Sequence, residues 1–393
     1  MSANTEDSVS QDNSTAESPD VGFRMGGEPA AAMSTVDEDD LVERVAGELL
    51  ALLPEGWERL DAAIAMTASD EAAQVIVSSA EHVAQVALSA RAIELLRELR
   101  ALAAESEEGP WWRILVSVTP TGSARIEYDY GAEPFPDHHL FPPQAYLADL
   151  REYPRKRLPV WLGAYIGHGD RQVRTPQTAF TQAQADSVNG MHAFPVGDGL
   201  PSLPAIWARW AVISAVFVAA KTPLGPRVTS ALGWFEGASR SGSTLHRLPN
   251  GKAVLSGGVW DAPELDAVYN GGAPMPEHYR GAPDWVADPV LSPRASNGLM
   301  SFCYWWDGYA WYQGESPAPN TLRDALPGIW SSDSAFDVIA QVIGNNASSW
   351  ITALVAAAES GSVTRAQLSR ALPGGEFDLD SAYYQLILAG IAS

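Results

Sequence analysis

Apolar residues at the even positions of 112–118 and 124–130, on either side of a Pro-Thr-Gly turn in WWRILVSVTPTGSARIEYDYG, constrain the fold of this chain more than any other feature. Successive side chains of a β-strand point to opposite faces, so the pattern predicts a hairpin with one buried face and one polar face. The predicted buried face consists of Trp112, Ile114, Val116, Ala124, Ile126 and Tyr128. Arg125, Glu127 and Asp129 then lie on the charged face. The fold must therefore supply a layer that covers one side of this hairpin.

The first ordered segment of the chain is predicted to be an amphipathic helix. Leu41, Val45, Leu49 and Leu52 recur at helical spacing along one stripe, and Pro54 and Gly56 are predicted to end the helix. Thr35 and Glu38 stand three residues apart just before this stripe, as in a capping box that starts a helix. Ordered structure is therefore expected to begin close to Thr35.

Two further segments precede the hairpin. Residues 60–79 have apolar stretches on either side of the sequence SDEA, which is typical of a hairpin, but their many alanines leave a helix open as the alternative. Residues 89–106 predict a helix with a more regular pattern. Its predicted apolar stripe consists of Ile93, Leu96, Leu99 and Leu102.

The second half of the chain adds a buried helix and an aromatic hairpin. The apolar run 205–220 is shorter than the ~20 residues that span a bilayer and contains Arg209, so it predicts a buried helix. Residues 301–314 predict a second hairpin that turns at Asp307-Gly308. Short helical patterns complete the C-terminal segment. The predicted fold class is α+β, with antiparallel hairpins packed against helices in two domains and a C-terminal helical segment.

Changes in composition along the chain predict its domain organisation. Residues 1–33 are acidic and lack apolar periodicity, as disordered segments do. A polar stretch at 167–195 predicts a linker between two α+β domains. The predicted divisions are a disordered acidic tail (1–33), an α+β domain (34–166), the linker (167–195), a second α+β domain rich in Trp, Gly and Pro (196–330) and C-terminal helices (331–393).

The net charge of −23 and the cysteine content restrict the possible partners and compartments. An acidic surface does not neutralise phosphates, so neither a nucleic acid nor an anionic membrane is expected as a partner. Cys303 is the only cysteine, which excludes an intrachain disulfide and a multi-cysteine zinc site. The N-terminal sequence lacks the basic and apolar regions of a secretory signal. We therefore expect a cytoplasmic protein whose acidity suits a basic partner.

Motifs for metals and nucleotide cofactors are weak. Asp137, His138 and His139 offer ligand atoms for zinc, but adjacent histidines in a Pro-rich loop more often face solvent. The glycine patterns of dinucleotide and phosphate-binding loops do not occur in the sequence. The segment 237–252 is rich in Gly and Ser and is interpreted as a loop that leads into a strand. No metal and no cofactor are expected.

Catalytic groups are equally sparse, and no catalytic residue is assigned. Glu127 and Asp129 have a spacing that suits acid–base chemistry and suits a solvated sheet face equally well. Ser243, His246 and Asp261 allow a nucleophilic triad to be drawn, without geometry to support it. An enzyme or small-ligand site within residues 237–270 is therefore kept as an alternative. Its candidate ligand-binding residues are Ser243, Thr244, His246, Asp261, Asp266 and Asn270.

Several motifs of the first region resemble the YezG-like immunity proteins of bacterial polymorphic toxin systems. The likeness covers residues 36–166. The matching positions are the Pro54 to Trp57 motif, then Trp112, Gly122, Tyr128, Asp129 and Tyr130, then the segment from Trp161 to Ile166. The resemblance implies a small α+β immunity factor that binds and neutralises a cognate toxin in the cytoplasm. It also makes a NAD-hydrolysing toxin a candidate partner.

Taken with the acidity, the resemblance predicts an antitoxin-type interaction protein. The predicted partner-binding residues are Glu127, Asp129, Tyr130 and Asp137. Reversing the charges of Glu127 and Asp129 together is expected to weaken partner binding while leaving folding nearly intact. The other functions left open are the enzyme or ligand-binding protein and a chaperone that escorts a secreted toxin. The oligomeric state does not follow from the sequence.

Overall fold

The computed structural model describes residues 38–393 except for 105, 107, 122–123 and 345–347. Within these residues the chain forms an α+β fold with two antiparallel sheets, which confirms the predicted fold class. The helices are α1 (Glu38–Leu50), α2 (Ala90–Ala103), α3 (Pro143–Glu152), α4 (Val160–Gly167), α5 (Pro176–Val188), α6 (Leu203–Ala219), α7 (Pro263–Tyr269), α8 (Ser332–Ile343), α9 (Ser348–Glu359), α10 (Arg365–Ala371) and α11 (Leu379–Ala389). The strands are β1 (Trp57–Met66), β2 (Glu71–Ser79), β3 (Val83–Val86), β4 (Arg113–Val118), β5 (Ala124–Asp129), β6 (Phe194–Pro195), β7 (Arg227–Val228), β8 (Leu232–Glu236), β9 (Gly242–Arg247), β10 (Ala253–Gly258), β11 (Phe302–Trp306) and β12 (Trp311–Gln313).

The first sheet has five strands in the order β3-β2-β1-β4-β5. Strands β4 and β5 form the predicted hairpin, with Val116 opposite Ile126. Residues 60–79 form the hairpin β1–β2 and not the competing helix. Leu60 and Ala62 of β1 are buried while Arg59, Asp61 and Ala63 are more exposed, which is the period of a strand with one covered face.

Helices α1 and α2 cover one side of the first sheet. The core between them and the sheet includes Leu41, Val45, Leu49, Leu95, Leu96 and Leu99. Ile93 and Leu102, predicted for the same stripe, are half-buried at its margin. Thr35 of the predicted capping box lies outside the described residues. The two predicted helices are thereby confirmed as the second layer of this sheet.

The predicted core face of the β4–β5 hairpin is largely confirmed. Ile114 and Val116 are buried against the two helices, and Ile126 and Tyr128 pack partly buried beside them. The side chain of Ala124 lies outside what the structure describes. The weaker burial of β5 follows from its position as the edge strand of the sheet.

Trp112 is buried, but in a different core from the one its position in the alternation predicts. It packs edge-on against Tyr146, with 5.2 Å between ring centroids, in a separate cluster that includes Trp161. Trp111 takes its place in the helix-covered core and stacks with Tyr128. Strand β4 begins only at Arg113, so the side-to-side alternation does not extend back to the tryptophan pair.

A buried ion pair ties α2 to α3. Arg100 Nη2 donates to Asp149 Oδ2 at 2.9 Å, and Arg100 Nε donates to the Trp111 carbonyl at 2.9 Å. The backbone N–H of Ala68, in the β1–β2 turn, donates to Asp149 Oδ1 at 2.7 Å. Arg100 and Asp149 are 3% and 0% exposed. Both charged side chains are therefore excluded from water, and each is stabilised by the opposite charge of the other.

The second sheet has seven strands in the order β6-β12-β11-β10-β9-β8-β7. The predicted aromatic hairpin is confirmed as β11–β12, and Gly308 in its turn adopts φ +117°, a value that glycine tolerates best. Helix α6 packs on one side of this sheet together with α11, and Trp207 Nε1 donates to the Ala389 carbonyl at 2.9 Å. The C-terminal helices thus complete the core of the second sheet.

Helix α6 confirms the predicted buried helix. By length and composition the helical segment Gly197–Ala219 could cross a membrane, but 67% of its most apolar window is buried inside the fold. Ile206, Trp210 and Ile213 are 0% exposed. Its apolar surface is therefore covered by the chain's own sheet and helices.

The polar stretch 167–195 contains a helix that the sequence analysis did not anticipate. Helix α5 begins after Thr175, whose hydroxyl accepts from the Thr178 N–H at 3.1 Å. The helix buries only Ala179 and Asp186, so it shows almost no apolar stripe. The Asp186 carboxylate accepts from the Gly281 N–H at 2.7 Å, which fastens the segment to the second half of the chain.

Candidate functional site

One side of the first sheet is not covered by α1 and α2. We call this surface the open face. It forms a shallow depression of about 380 Å³ across strands β2, β1, β4 and β5. The depression is lined by Arg59, Asp61, Ala62, Ala63, Gln74, Ile76, Leu115, Val116, Ser117, Arg125 and Glu127. No helix among the described residues forms a second layer over this face, which makes it a candidate binding surface.

Strand pairing brings the open-face residues into two rows across the sheet. One row runs Gln74, Ala63, Leu115 and Glu127. The neighbouring row runs Ile76, Asp61, Ser117 and Arg125. Ile76, Ala63 and Leu115 are half-buried. The open face therefore has an apolar centre with polar and charged side chains around it.

Two ion pairs stand at the margins of the open face. Arg59 donates to both carboxylate oxygens of Asp61, at 2.7 and 2.8 Å, and this hydrogen bonding lowers the pKa of Asp61. Arg125 pairs with Glu127, and their side chains are 79% and 45% exposed. Exposed ion pairs contribute only ~0–1 kcal/mol to stability, so these four groups can exchange partners at small cost.

The far end of the open face is closed by the segment after β5. Asp129 lies 3.3 Å from Arg113 Nε and accepts from the Gly131 N–H at 2.8 Å. His139 is buried beside them, and neither of its ring nitrogens has a hydrogen-bond partner among the described residues. Burial, with His138 and Arg113 nearby, lowers the pKa of His139 to about 4. This end is a packed structural corner and is not available to a ligand.

The four predicted partner-binding residues do not form one surface. Glu127 is exposed on the open face, and Asp129 lies on the same side of β5 but is engaged with Arg113. Tyr130 packs against the helix-covered core, and this burial raises its pKa. Asp137 is exposed at the start of a short 3-10 turn. Only Glu127 thus contributes freely to the open face.

The sequence analysis missed the part of the open face that β1 and β2 supply. Arg59, Asp61 and Ala63 alternate with the buried residues of β1, so the signal was present in WERLDAAIAM. From the sequence alone, a helix competes with the hairpin over residues 60–79, so the alternation in β1 does not by itself assign these side chains to a sheet face. Once that segment is the β1–β2 hairpin, Asp61 and Ala63 of β1 share the open face with Gln74 and Ile76 of β2.

The nucleophilic triad drawn from Ser243, His246 and Asp261 does not assemble. The segment predicted as a Gly/Ser loop contains strand β9. This strand pairs with β8 on one side and with β10 on the other. Ser243 and His246 therefore point to opposite faces of one strand, and no triad can form between them. Ser243 Oγ donates to the Ala325 carbonyl at 2.6 Å. Burial lowers the pKa of His246, an effect partly opposed by Asp288.

The remaining residues of that alternative have other contacts. Asp261 is exposed in the turn after β10, with φ +53°. Asp266 accepts from Arg157 Nε at 2.8 Å, and the Asn270 amide exchanges hydrogen bonds with both backbone groups of Leu158. These two side chains fasten α7 to the segment between α3 and α4. Thr244 lies on the His246 side of β9.

The described part of the chain contains no assembled metal site and no reactive thiol. No group of three or more His, Cys, Asp or Glu side chains that could hold a metal occurs there. The rings of His138 and His139 lie 4.3 Å apart, centroid to centroid, with a tilt of 54° between their planes, but His138 is exposed and His139 is buried. Cys303 is buried, and burial raises its pKa to about 12, so the sulfur is a thiol at neutral pH.

Comparison of the sequence with known proteins identified no relative of this chain. No protein-family model matches this chain, and no curated protein matches it. The open face is therefore assigned from its own geometry.

Proposed function

We propose that this chain is an immunity-type interaction protein that binds a toxin protein and neutralises it in the cytoplasm. One observation carries the proposal: the open face is an apolar centre ringed by exposed ion pairs, and the helices of residues 38–393 that the structure describes leave it uncovered. Protein interfaces commonly combine a small apolar core with a polar rim. The resemblance of residues 36–166 to YezG-like proteins supports a bacterial toxin as the partner, and a NAD-hydrolysing toxin is the first to test.

The charges support a basic partner. The chain carries a net charge of −23, which speeds the approach of a positively charged protein. At contact, Asp61 and Glu127 can exchange their present arginine partners for cations of the toxin. Ile76 and Leu115 then supply the buried centre, where most of the binding energy of an interface resides.

The direct test is binding to a toxin encoded beside this gene. The full chain and the inactive toxin are expected to co-purify, and expression of the chain is expected to rescue cells that produce active toxin. Isothermal titration calorimetry gives the affinity. Absence of both binding and rescue would overturn the proposal.

Replacement of Leu115 by lysine is expected to weaken toxin binding at least about tenfold, since it puts a charge into the apolar centre. Leu115 is only half-buried, so the free energy of unfolding should change by no more than about 1 kcal/mol. Val290→Lys is the matched control, because Val290 is 73% exposed on the second half of the chain. Equal affinities for the two variants would exclude the open face as the interface.

The charge reversals of Glu127 and Asp129 are expected to have different effects when they are made one at a time. Glu127→Lys is expected to slow toxin association and leave folding intact. Asp129→Lys is expected to lower the free energy of unfolding by about 1–3 kcal/mol, because Arg113 would face a like charge and the Gly131 N–H would lose its acceptor. Surface plasmon resonance and urea unfolding distinguish the two effects. Similar unfolding curves for both variants would show that the Asp129 contacts contribute little.

A further inference from the structure

A second cleft lies on the other sheet, away from the open face. It is bounded by strands β8 and β9 on one side and by the 3-10 turn Pro293–Asn297 on the other, and its volume is about 380 Å³. We call it the Trp234 cleft, after its most exposed large residue. Its lining includes Trp234, Glu236, Thr244, Ser256, Arg294 and Asn297. The volume is within the range of small-molecule sites.

Trp234 gives the cleft an aromatic wall. Its side chain is 39% exposed although it belongs to an ordered strand. Strand pairing places Trp234 opposite Thr244, and Thr244 opposite Ser256, so all three side chains share one side of the sheet. An indole beside a row of hydroxyl groups presents one flat apolar surface and one polar surface to the same ligand.

The hydroxyl groups of this row have a defined direction. Ser256 Oγ donates its single hydrogen to the Leu291 carbonyl at 2.8 Å. The 3.2 Å contact between Thr244 Oγ1 and Ser256 Oγ must then be donated by Thr244. Thr244 Oγ1 keeps only acceptor capacity, so it is suited to receive a hydrogen bond from a ligand hydroxyl.

The charged groups of the cleft neutralise each other. Arg294 Nη2 donates to both carboxylate oxygens of Glu236, at 2.9 and 2.7 Å. Gly242 and Gly258 make room for this arginine, because a Cβ atom would stand 2.7 Å from its Nη2 at Gly242 and 3.2 Å from its Cδ at Gly258. A paired arginine and glutamate offer donors and acceptors without net charge, which favours a neutral ligand.

Asn297 adds an uncommitted amide at the rim. It is exposed, and its side chain has no hydrogen-bond partner among the residues that the structure describes. An amide both donates and accepts, so it can pair with either the hydrogen or the oxygen of a hydroxyl group.

We propose that the Trp234 cleft binds a neutral sugar, whose apolar ring face stacks on the indole while its hydroxyl groups bond to Thr244, Asn297 and the Arg294–Glu236 pair. A pyranose ring has these two surfaces in the same relation: a patch of C–H groups on one face and hydroxyls around its edge. This site is independent of the open face and of the proposed toxin binding.

Saturation-transfer NMR on the full chain tests the proposal. The probes are methyl β-D-glucopyranoside and N,N′-diacetylchitobiose, with adenosine as a flat aromatic comparison, each at millimolar concentration. Ring protons of at least one sugar are expected to receive saturation. Trp234→Ala should weaken that sugar's affinity about tenfold. Trp350→Ala, which removes a 44% exposed tryptophan of α9, should leave the affinity unchanged.

Three results would overturn the proposal: no saturation transfer to either sugar, transfer to adenosine alone, or equal affinity of the wild type and Trp234→Ala. Thermal unfolding of both tryptophan variants shows whether they fold. If Trp234→Ala does not fold, Thr244→Val replaces it, because the new methyl group fills the same space without an acceptor. Undiminished sugar binding by Thr244→Val would then exclude the site.

Discussion

Replacing Asp149 with alanine is expected to lower the free energy of unfolding by about 3–5 kcal/mol. The substitution leaves the Arg100 guanidinium, 3% exposed, without its counter-ion and removes the acceptor of the Ala68 N–H. A second cation, Arg155, lies over the ring of Trp112 at 4.0 Å, and burial lowers its pKa to about 10. Without Asp149, two neighbouring guanidinium groups would share a site that has lost the carboxylate paired with Arg100.

Urea unfolding followed by circular dichroism measures this loss. Asp137→Ala serves as the control, because Asp137 is an exposed aspartate of the same region. The double variant Arg100→Leu/Asp149→Leu should recover part of the stability, since it removes the unpaired charge as well as the pair. A loss below about 1 kcal/mol for Asp149→Ala would mean that water reaches Arg100 in the folded protein.

Lowering the pH from 7 to 4 is expected to destabilise the protein through its buried histidines. Burial lowers the pKa of His278 to about 4, from 6.5 for a free imidazole, and the pKa of His139 is lowered to about 4 as well. Between pH 6.5 and pH 4 these histidines bind protons in the unfolded chain but not in the folded protein. The free energy of unfolding therefore falls as the pH falls. For fully buried His278 the loss reaches about 3 kcal/mol near pH 4.

The measurement is the free energy of unfolding at pH 7, 6, 5 and 4. His278→Gln is expected to flatten the decline relative to the wild type, and His192→Gln, at an exposed position, should not alter it. The slope and not the absolute stability is the quantity compared, because glutamine also changes the packing around Ser316, whose hydroxyl lies 3.4 Å from His278 Nδ1. Parallel curves for wild type and His278→Gln would assign the acid sensitivity to other groups.

Elements with a strong local period were predictable from the sequence. The β4–β5 hairpin, α1 and α2 each bury a regular apolar pattern, and α6 is a continuous apolar run. None of these signals needs knowledge of the rest of the chain. Helix α5 was missed because it is held by Thr175 at its start and Asp186 near its end, and neither contributes an apolar period. Strand β9 was missed because its Gly, Ser and Thr residues have the composition of a loop, while its strand partners lie on both sides of it.

The candidate site was predictable only in part, for a similar reason. Glu127 was identified from the alternation of one hairpin. The apolar centre depends on register: Ile76 and Leu115 come together because β1 pairs with both β2 and β4. The pairing of β1 with β4 joins two separate hairpins, and the local sequence of neither hairpin indicates it. Side-chain direction explains the failed alternative as well, since Ser243 and His246 are three residues apart on a strand and therefore diverge.

The central position of α6 has a consequence for the synthesis of this protein on the ribosome. Its apolar surface is covered in part by α11, the last helix of the chain. At usual translation rates, roughly 10–40 s separate the emergence of the two helices. During that interval the part of this apolar helix that α11 covers has no permanent partner. Nascent chains that end before α11 should therefore bind chaperones or aggregate, and folding of α11 onto α6 should end that exposure.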